Sequence, residues 1–407
     1  MKRRDFHRTT IAMGAVGLSA MQASSVMGAN DKINIAIIGC GVRGGQHIPD
    51  IIRFSDTGAR VSHVCDVWSV ARDQAVASAK AKGQKQAPKA VEDYNQVIND
   101  PNIDAVVVAT PDISHATILK EAALAGKDGY CEKPFAVNLA DGLAAVDAVR
   151  EKKRIVQVGT QWRSDGNYIT GANAVHSGVL GQITRIAISQ NFNQARWRKA
   201  YSNVKKDDVN WDLFQFGKSN KPFSAKRFRR WYLYRDYTNG LPGLWLSHYL
   251  NAVAWYMQDL YPLDVVSSSA VLRWNKDDPD DDRETSDTLS AILDYPSGFQ
   301  LNISMSLCNS ADTHFIVYGS NGKLDVQKRI LSGDGGIGKK QMKEEKILDP
   351  VKCDHHMKNW LDCIRSRQDP RCSIEYGLSH SVAGIMIAES NRTGKRLRYD
   401  AEKRTIS

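Results

Sequence analysis

Residues 32–45 read KINIAIIGCGVRGG. Ile33, Ile35, Ile37 and Ile38 make a short apolar run of the kind that becomes a strand covered on both faces. Directly after it, Gly39, Gly41 and Gly44 fall in a G-x-G-x-x-G pattern. The first glycine permits a tight turn, the second lets backbone approach a pyrophosphate, and the third lets the next helix pack close to the strand. The amides that open that helix then point at the phosphates. Three glycines alone are a weak signal, so the context decides.

The stretch ARVSHVCD (59–66) reads as a second strand ending at Asp66, where a carboxylate can accept hydrogen bonds from the adenosine ribose and repel a 2′-phosphate. The expected cofactor is therefore NAD rather than NADP. IDAVVVAT (103–110), the helical SHATILKEAALAG (114–126), DGYCEKP (128–134), a helix over about 138–150 and RIVQVGT (154–160) continue the alternation. Strands alternating with helices predict an α/β fold, here a doubly wound parallel Rossmann sheet over residues 31–160, with its ligand at the carboxyl ends of the strands. Thr110, Pro111, Glu132, Lys133, Pro134, Gly159 and Gln161 stand at such ends.

Beyond residue 160 the period changes. ITRIAISQ (183–190), LDVVSSSAVLRW (263–274), SDTLSAILDY (286–295) and GFQLNISMSL (298–307) read as strands. In the last, Phe299, Leu301, Ile303, Met305 and Leu307 alternate with polar residues, and YPSG (295–298) supplies a turn. Residues 161–407 are thus expected to form an α+β domain with a largely antiparallel open sheet and C-terminal helices over about 354–393. A chain of 407 residues is long enough for two cores.

With 42% hydrophobic and 25% charged residues, the composition is that of an ordinary globular protein. The net charge of +10 comes with no nucleic-acid-binding motif, so no nucleic acid partner is expected. Seven cysteines show neither a C-x-x-C nor a Cys/His ligand spacing, and no metal is expected. Cys40, Cys65 and Cys131 fall in or beside strands, as small buried hydrophobes do. DDPDDDRE (277–284) lacks the glycine and spacing of a calcium loop and reads as a solvated loop.

Five of the nine tryptophans, Trp197, Trp211, Trp231, Trp245 and Trp255, lie between Phe192 and Tyr261, interleaved with Arg196, Arg198, Arg227, Arg229, Arg230 and Arg235. Rings with polar neighbours suit a sugar, which offers apolar C–H faces and hydroxyl edges; equally they suit packing. Gln161, Trp162 and Arg163 lie nearer the reacting end and are the better candidates for substrate contact.

The motifs GCGVRG, ATPDISH, CEKP, VGTQWRS, WDLFQFG and NGLPGLWLSHYLN together resemble the Gfo/Idh/MocA oxidoreductases, the family of glucose-fructose oxidoreductase and inositol dehydrogenase. The likeness runs from residue 31 to the C-terminal region. It implies dinucleotide contacts from Gly39, Gly41, Val42, Arg43, Gly44, Asp66, Thr110, Pro111, His115, Glu132, Lys133 and Gln161. It further implies catalytic roles for Lys133 and His248, the latter flanked by Trp245 in the substrate region, and a homo-oligomer, dimer or tetramer, built on the open sheet face. Removing hydride from a secondary alcohol also requires a base within reach of the hydroxyl, and either side chain qualifies. One departure stands out. Where relatives carry Asp four residues before the histidine, this chain has Leu244, with Asn251 and Asp236 as candidates to replace it.

The chain opens MKRRDFHRTTIAMG, with Arg3 and Arg4 ahead of an uncharged run that ends near Gly28 and Ala29. Residues 1–29 read as a twin-arginine signal, which predicts passage of the folded protein through the twin-arginine translocase to the periplasm. An NAD enzyme exported folded has to carry its cofactor with it and close its redox cycle internally. A second sugar carbonyl could take the hydride back, or a glycoside could be oxidised transiently, cleaved by elimination and reduced again. A secreted sugar-binding protein that keeps NAD only as structure is the alternative of another class.

Overall fold

The computed structural model describes residues 32–195, 198–277, 280–337 and 339–407. The export-signal reading of residues 1–29, the side chains of Arg196 and Trp197, and Asp278 and Pro279 of the acidic loop lie outside the described residues.

The first sheet contains β1 (Ile33–Ile38), β2 (Ala59–Cys65), β3 (Lys89–Val91), β4 (Ala105–Val108), β5 (Asp128–Cys131) and β6 (Val156–Val158). They pair in parallel in the order β3-β2-β1-β4-β5-β6, the doubly wound arrangement in which the strand order reverses beside β1. Helices on both faces explain why these strands are apolar without alternation: Ile35, Ala36 and Ile37 are consecutive and fully buried. Sequence reading missed β3, whose first two residues are exposed.

The second sheet takes β7 (Ile183–Asn191), β8 (Asp264–Ala270), β9 (Thr288–Asp294), β10 (Gln300–Ser306), β11 (His314–Gly319), β12 (Gly322–Asp325), β13 (Ile330–Ser332), β14 (Lys346–Ile347), β15 (Leu397–Asp400) and β16 (Thr405–Ile406). Its order is β14-β13-β12-β11-β7-β10-β9-β8-β15-β16, antiparallel except where β7 pairs with β10. Here the alternation is strict: Leu301, Ile303 and Met305 are buried and the residues between them are not. Helices Leu246–Met257 and Ile374–Thr393 cover the buried face. On the other face Val266 and Ile292 pair across β8 and β9 and remain 37% and 40% exposed.

The acidic stretch is not a free solvated loop. Asp280, Asp282 and Glu284 pair with Lys226, Arg227 and Arg230, and Asp281 pairs with Arg198 and with the fully buried Arg283. All seven cysteines carry free thiols, with Cys40, Cys65 and Cys131 buried.

Candidate functional site

The turn after β1 is shaped by its glycines. Gly39 has a φ of 88°, and a Cβ on Gly44 would lie 1.8 Å from the Gly39 carbonyl oxygen, so the helix Val42–Arg53 can approach β1 only without a side chain there. A Cβ on Gly41 would meet open space. That helix has no side-chain cap and no acidic residue in its first turn, leaving its opening amides for an anion. The Asp66 carboxylate ties this turn to the end of β2, accepting from the backbone N–H groups of Cys40 at 2.7 Å and Trp68 at 2.8 Å. Burial pushes the Asp66 carboxyl up, and those two hydrogen bonds oppose it.

Gly39, Gly41, Asp66 and Trp68 line one cavity of about 420 Å³ that continues to Lys133 and His248, while Gly44 packs the helix on β1 and stays out of the wall. Val42, Arg43, Thr110, Pro111, His115, Glu132 and Gln161 share its walls. Glu132 is buried and organises the floor, accepting from Arg43 Nε at 2.7 Å and lying 2.8 Å from His47 Nε2. Burial alone would raise its carboxyl; His47 and Arg43 overcome this and hold it well below the usual range. Gly159 makes room, since a Cβ there would come within 2.8 Å of the Glu132 carboxyl carbon. Both ring nitrogens of His115 lie 2.8 Å from backbone carbonyls, those of Pro134 and Thr110, which fixes it as a brace between β4 and β5.

The corner that holds Lys133 and His248 is built where a helix breaks. The turn Leu241–Leu244 ends at Trp245 before Leu246–Met257 begins, freeing the Leu244 carbonyl, and Lys133 Nζ donates to it at 2.5 Å. Burial lowers the Lys133 pKa, with the charges of Asp112 and Glu132 opposing. His248 lies against Trp162, ring centroids 5.1 Å apart, and Trp162 in turn stacks on Tyr168 at 4.2 Å. The His248 Nδ1 atom is buried with no hydrogen-bond partner. Burial, then the Lys133 charge, push its pKa down to about 3, so the imidazole is neutral at physiological pH.

A further residue, not singled out in the sequence, belongs to this corner. Asp112 lines the cavity, is 3% exposed, accepts a hydrogen bond from the Thr238 hydroxyl at 2.6 Å, and has its pKa raised to about 6 by burial against the pull of His115 and Lys133. Its position one residue past Pro111 at the end of β4 was the available signal. Asp112 thus places a buried carboxyl in the cavity that Leu244 also lines. Asn251 instead donates to the Tyr376 carbonyl, and Asp236 pairs with Arg227.

Several expected substrate contacts lie elsewhere. The Arg163 guanidinium is buried between the Tyr376 and Trp255 rings, 3.6 and 4.7 Å from their centroids, and donates to the Arg371 carbonyl. It is a packing residue because its flat cation is sandwiched by two rings. Trp245 packs edge-on against Phe192 and is not part of the cavity wall; Trp162 supports His248 without lining the cavity. Trp211 packs on Phe214 and Phe223, while Trp231 with Tyr232 lines the cavity. Most of the aromatic segment is therefore packing and cleft wall rather than an open sugar platform.

A family profile described as an oxidoreductase family with an NAD-binding Rossmann fold matches residues 33–160, and its companion, described as the C-terminal alpha/beta domain, matches residues 172–399. Inositol 2-dehydrogenase from Salmonella typhimurium is 32% identical over 155 residues, 37% of this chain and 43% of that protein, so the match spans under half the length of that relative. The aldose-aldose oxidoreductase of Caulobacter crescentus complexed with glycerol superposes with a TM-score of 0.65 at 18% identity, covering 90% of this chain and 99% of that one. The WlbA dehydrogenase of Bordetella pertussis in complex with NADH and UDP-GlcNAcA gives 0.67 at 20% identity over 91% and 99%. These two structures share the fold.

Proposed function

Because this chain belongs to the Gfo/Idh/MocA oxidoreductase family, we propose that it is an NAD-dependent oxidoreductase acting on a carbohydrate hydroxyl, with its cofactor kept bound between turnovers. The observation that carries this reading is the meeting of Lys133, His248 and Asp112 in the same cavity as the glycine turn. The uncapped helix start at Val42, the open space beside Gly41 and the Asp66 carboxylate fit a dinucleotide. NAD, when bound, supplies the hydride acceptor.

The chain's own groups handle the proton. Lys133, desolvated and held by a neutral carbonyl, is the base for the substrate hydroxyl, since its lowered pKa brings the free amine closer to neutral pH. Neutral His248 orients the same hydroxyl from the other side, and Asp112 balances the lysine charge. Glu132, locked by His47 and Arg43, keeps Lys133 in register as its chain neighbour.

A second reading, redox-neutral glycoside cleavage, draws on Asp112: a carboxyl with a pKa of about 6 can hold a proton for a leaving group. In either case export of the folded, loaded protein to the periplasm by the twin-arginine route accounts for the reading of residues 1–29. A second copy covering the exposed Val266 and Ile292 face would give the dimer or tetramer, which light scattering checks.

The test is to purify the exported protein without added cofactor, assay it for bound NAD, and offer aldoses, inositols and aryl glycosides. Bound NAD that turns to NADH with a sugar, and back with a second carbonyl, supports oxidoreduction. Release of aglycone without net NADH selects the glycoside reading. A protein that holds no nucleotide and takes none up overturns both.

A further inference from the structure

Residues 199–232 leave the second domain after β7 and lie across the dinucleotide cleft of the first. Asn210 donates its backbone N–H to the Val67 carbonyl at 2.9 Å and its side-chain amide to Glu92 at 2.9 Å, and Val209 bridges to Trp68. Phe228 meets the Trp68 ring edge-on at 5.7 Å, and Phe216 lies 5.7 Å from Tyr94. Leu213, Phe214, Phe228, Arg229 and Lys199 form one wall of the cavity whose other wall is the glycine turn and Asp66.

Two features of this segment bear on the cavity, although Arg229 also ties the segment to itself by donating from Nε to the Ala200 carbonyl at 3.2 Å. The first is a pair of cations. Lys199 and Arg229 both face the cavity; Lys199 donates to the Tyr232 hydroxyl at 2.7 Å rather than to a carboxylate, and Arg229 stacks on Trp68. Burial, then the Arg229 charge, push the Lys199 pKa down to about 8, the mark of two like charges held near each other. A dinucleotide brings two phosphate charges to such a place. The second is the fastening: Lys226 pairs with Asp280 at 3.2 Å and Asp282 at 2.9 Å, Arg230 with Asp280 at 3.1 Å, and Arg227 with Glu284 at 3.0 Å, all on the outside of the cleft.

We propose that residues 199–232 are a clasp over the cofactor: the rings close on the adenosine half, Lys199 and Arg229 meet the phosphates, and the acidic loop 280–284 is the latch that keeps the clasp shut. Nucleotide release then requires the latch pairs to open first. This rests on the reading of the cavity as an NAD site, and adds which part of the chain sets the lifetime of the bound state.

The experiment uses the holoprotein and reads nucleotide remaining after rapid gel filtration, with no turnover assay. The Asp280→Asn/Asp282→Asn variant alters side chains 48% and 55% exposed and outside the cavity, and is expected to shorten the release half-time about tenfold, the effect of losing several coupled surface pairs. Arg229→Ala is expected to shorten it by a similar factor through lost phosphate contact, about tenfold for one charge-assisted bond. Near-UV circular dichroism matching the native protein confirms that each variant is folded. Folded variants that release nucleotide at the native rate overturn the clasp while leaving the NAD site intact. A native protein that neither carries nor takes up nucleotide overturns the site and the clasp together.

Discussion

The two walls of the cavity are built by different means. The wall from the first domain is shaped first by backbone, a glycine turn, strand ends and an uncapped helix start, which then present the side chains of Asp66, Asp112, Glu132 and Lys133. The wall from the second domain is side chain: rings, two cations and a helix break whose freed carbonyl holds a lysine. A backbone wall tolerates few sequences because close approach is a steric condition. A side-chain wall tolerates many, because its parts are held by packing and ion pairs that other residues can supply. Substitutions should therefore cost fold on one side and chemistry or retention on the other.

The largest effect tests the point where the walls meet. Lys133→Met is expected to lower turnover about 10²–10⁴-fold, the range for losing a positioned proton acceptor, and to lower Tm as well, because buried Asp112 loses the cation whose charge acts on it. Its companion is a pH profile: the rising limb of kcat/KM should lie below the ordinary lysine range and persist in His248→Gln. A limb lost with His248 and kept with Lys133→Met would reverse the two roles. On the backbone wall, Gly44→Ala should cost about 3 kcal/mol or more, read as a lowered urea midpoint, since the added carbon overlaps the Gly39 carbonyl. An unchanged midpoint would mean that the helix and strand can separate.

A smaller effect sharpens the contrast through acid stability. His248, His356 and His380 are each pushed down to about 3 by burial, against an ordinary value of 6.5. Between those limits the unfolded chain binds protons that the native one refuses, so stability falls as pH falls below about 6.5. Asp112, raised to about 6, works oppositely between its two values and offsets one of the three. Net, about two histidines remain, each worth about 1.4 kcal/mol per pH unit, so Tm should drop clearly between pH 6.5 and 5.5. A flat Tm over that interval would contradict the burial of these rings. Smallest of all, Leu244→Ala should change turnover less than about tenfold, because the lysine contact is to its carbonyl and only packing is lost.

The same division explains what the sequence disclosed. The parallel sheet, the glycine turn and the strand-end residues were legible because steric and periodic rules act within a few neighbouring residues. The alternation in β10 was legible for that reason too. Arg163 was misplaced because proximity to Gln161 in sequence says nothing about which way its guanidinium points; the two rings that take it, Trp255 and Tyr376, come from distant helices. Asp112 went unnoticed because its importance arises from burial against Thr238 and Lys133, over a hundred residues and twenty residues away. The acidic loop seemed solvated because its partners are supplied by a different segment.

The helix break at Trp245 has one further result. The oxygen that steadies Lys133 belongs to the peptide link, so it neither titrates nor disappears when residue 244 is replaced. Position 244 is thereby released from any duty toward the lysine, and evolution or an engineer can reshape the cavity there while the grip on Lys133 stays as it was.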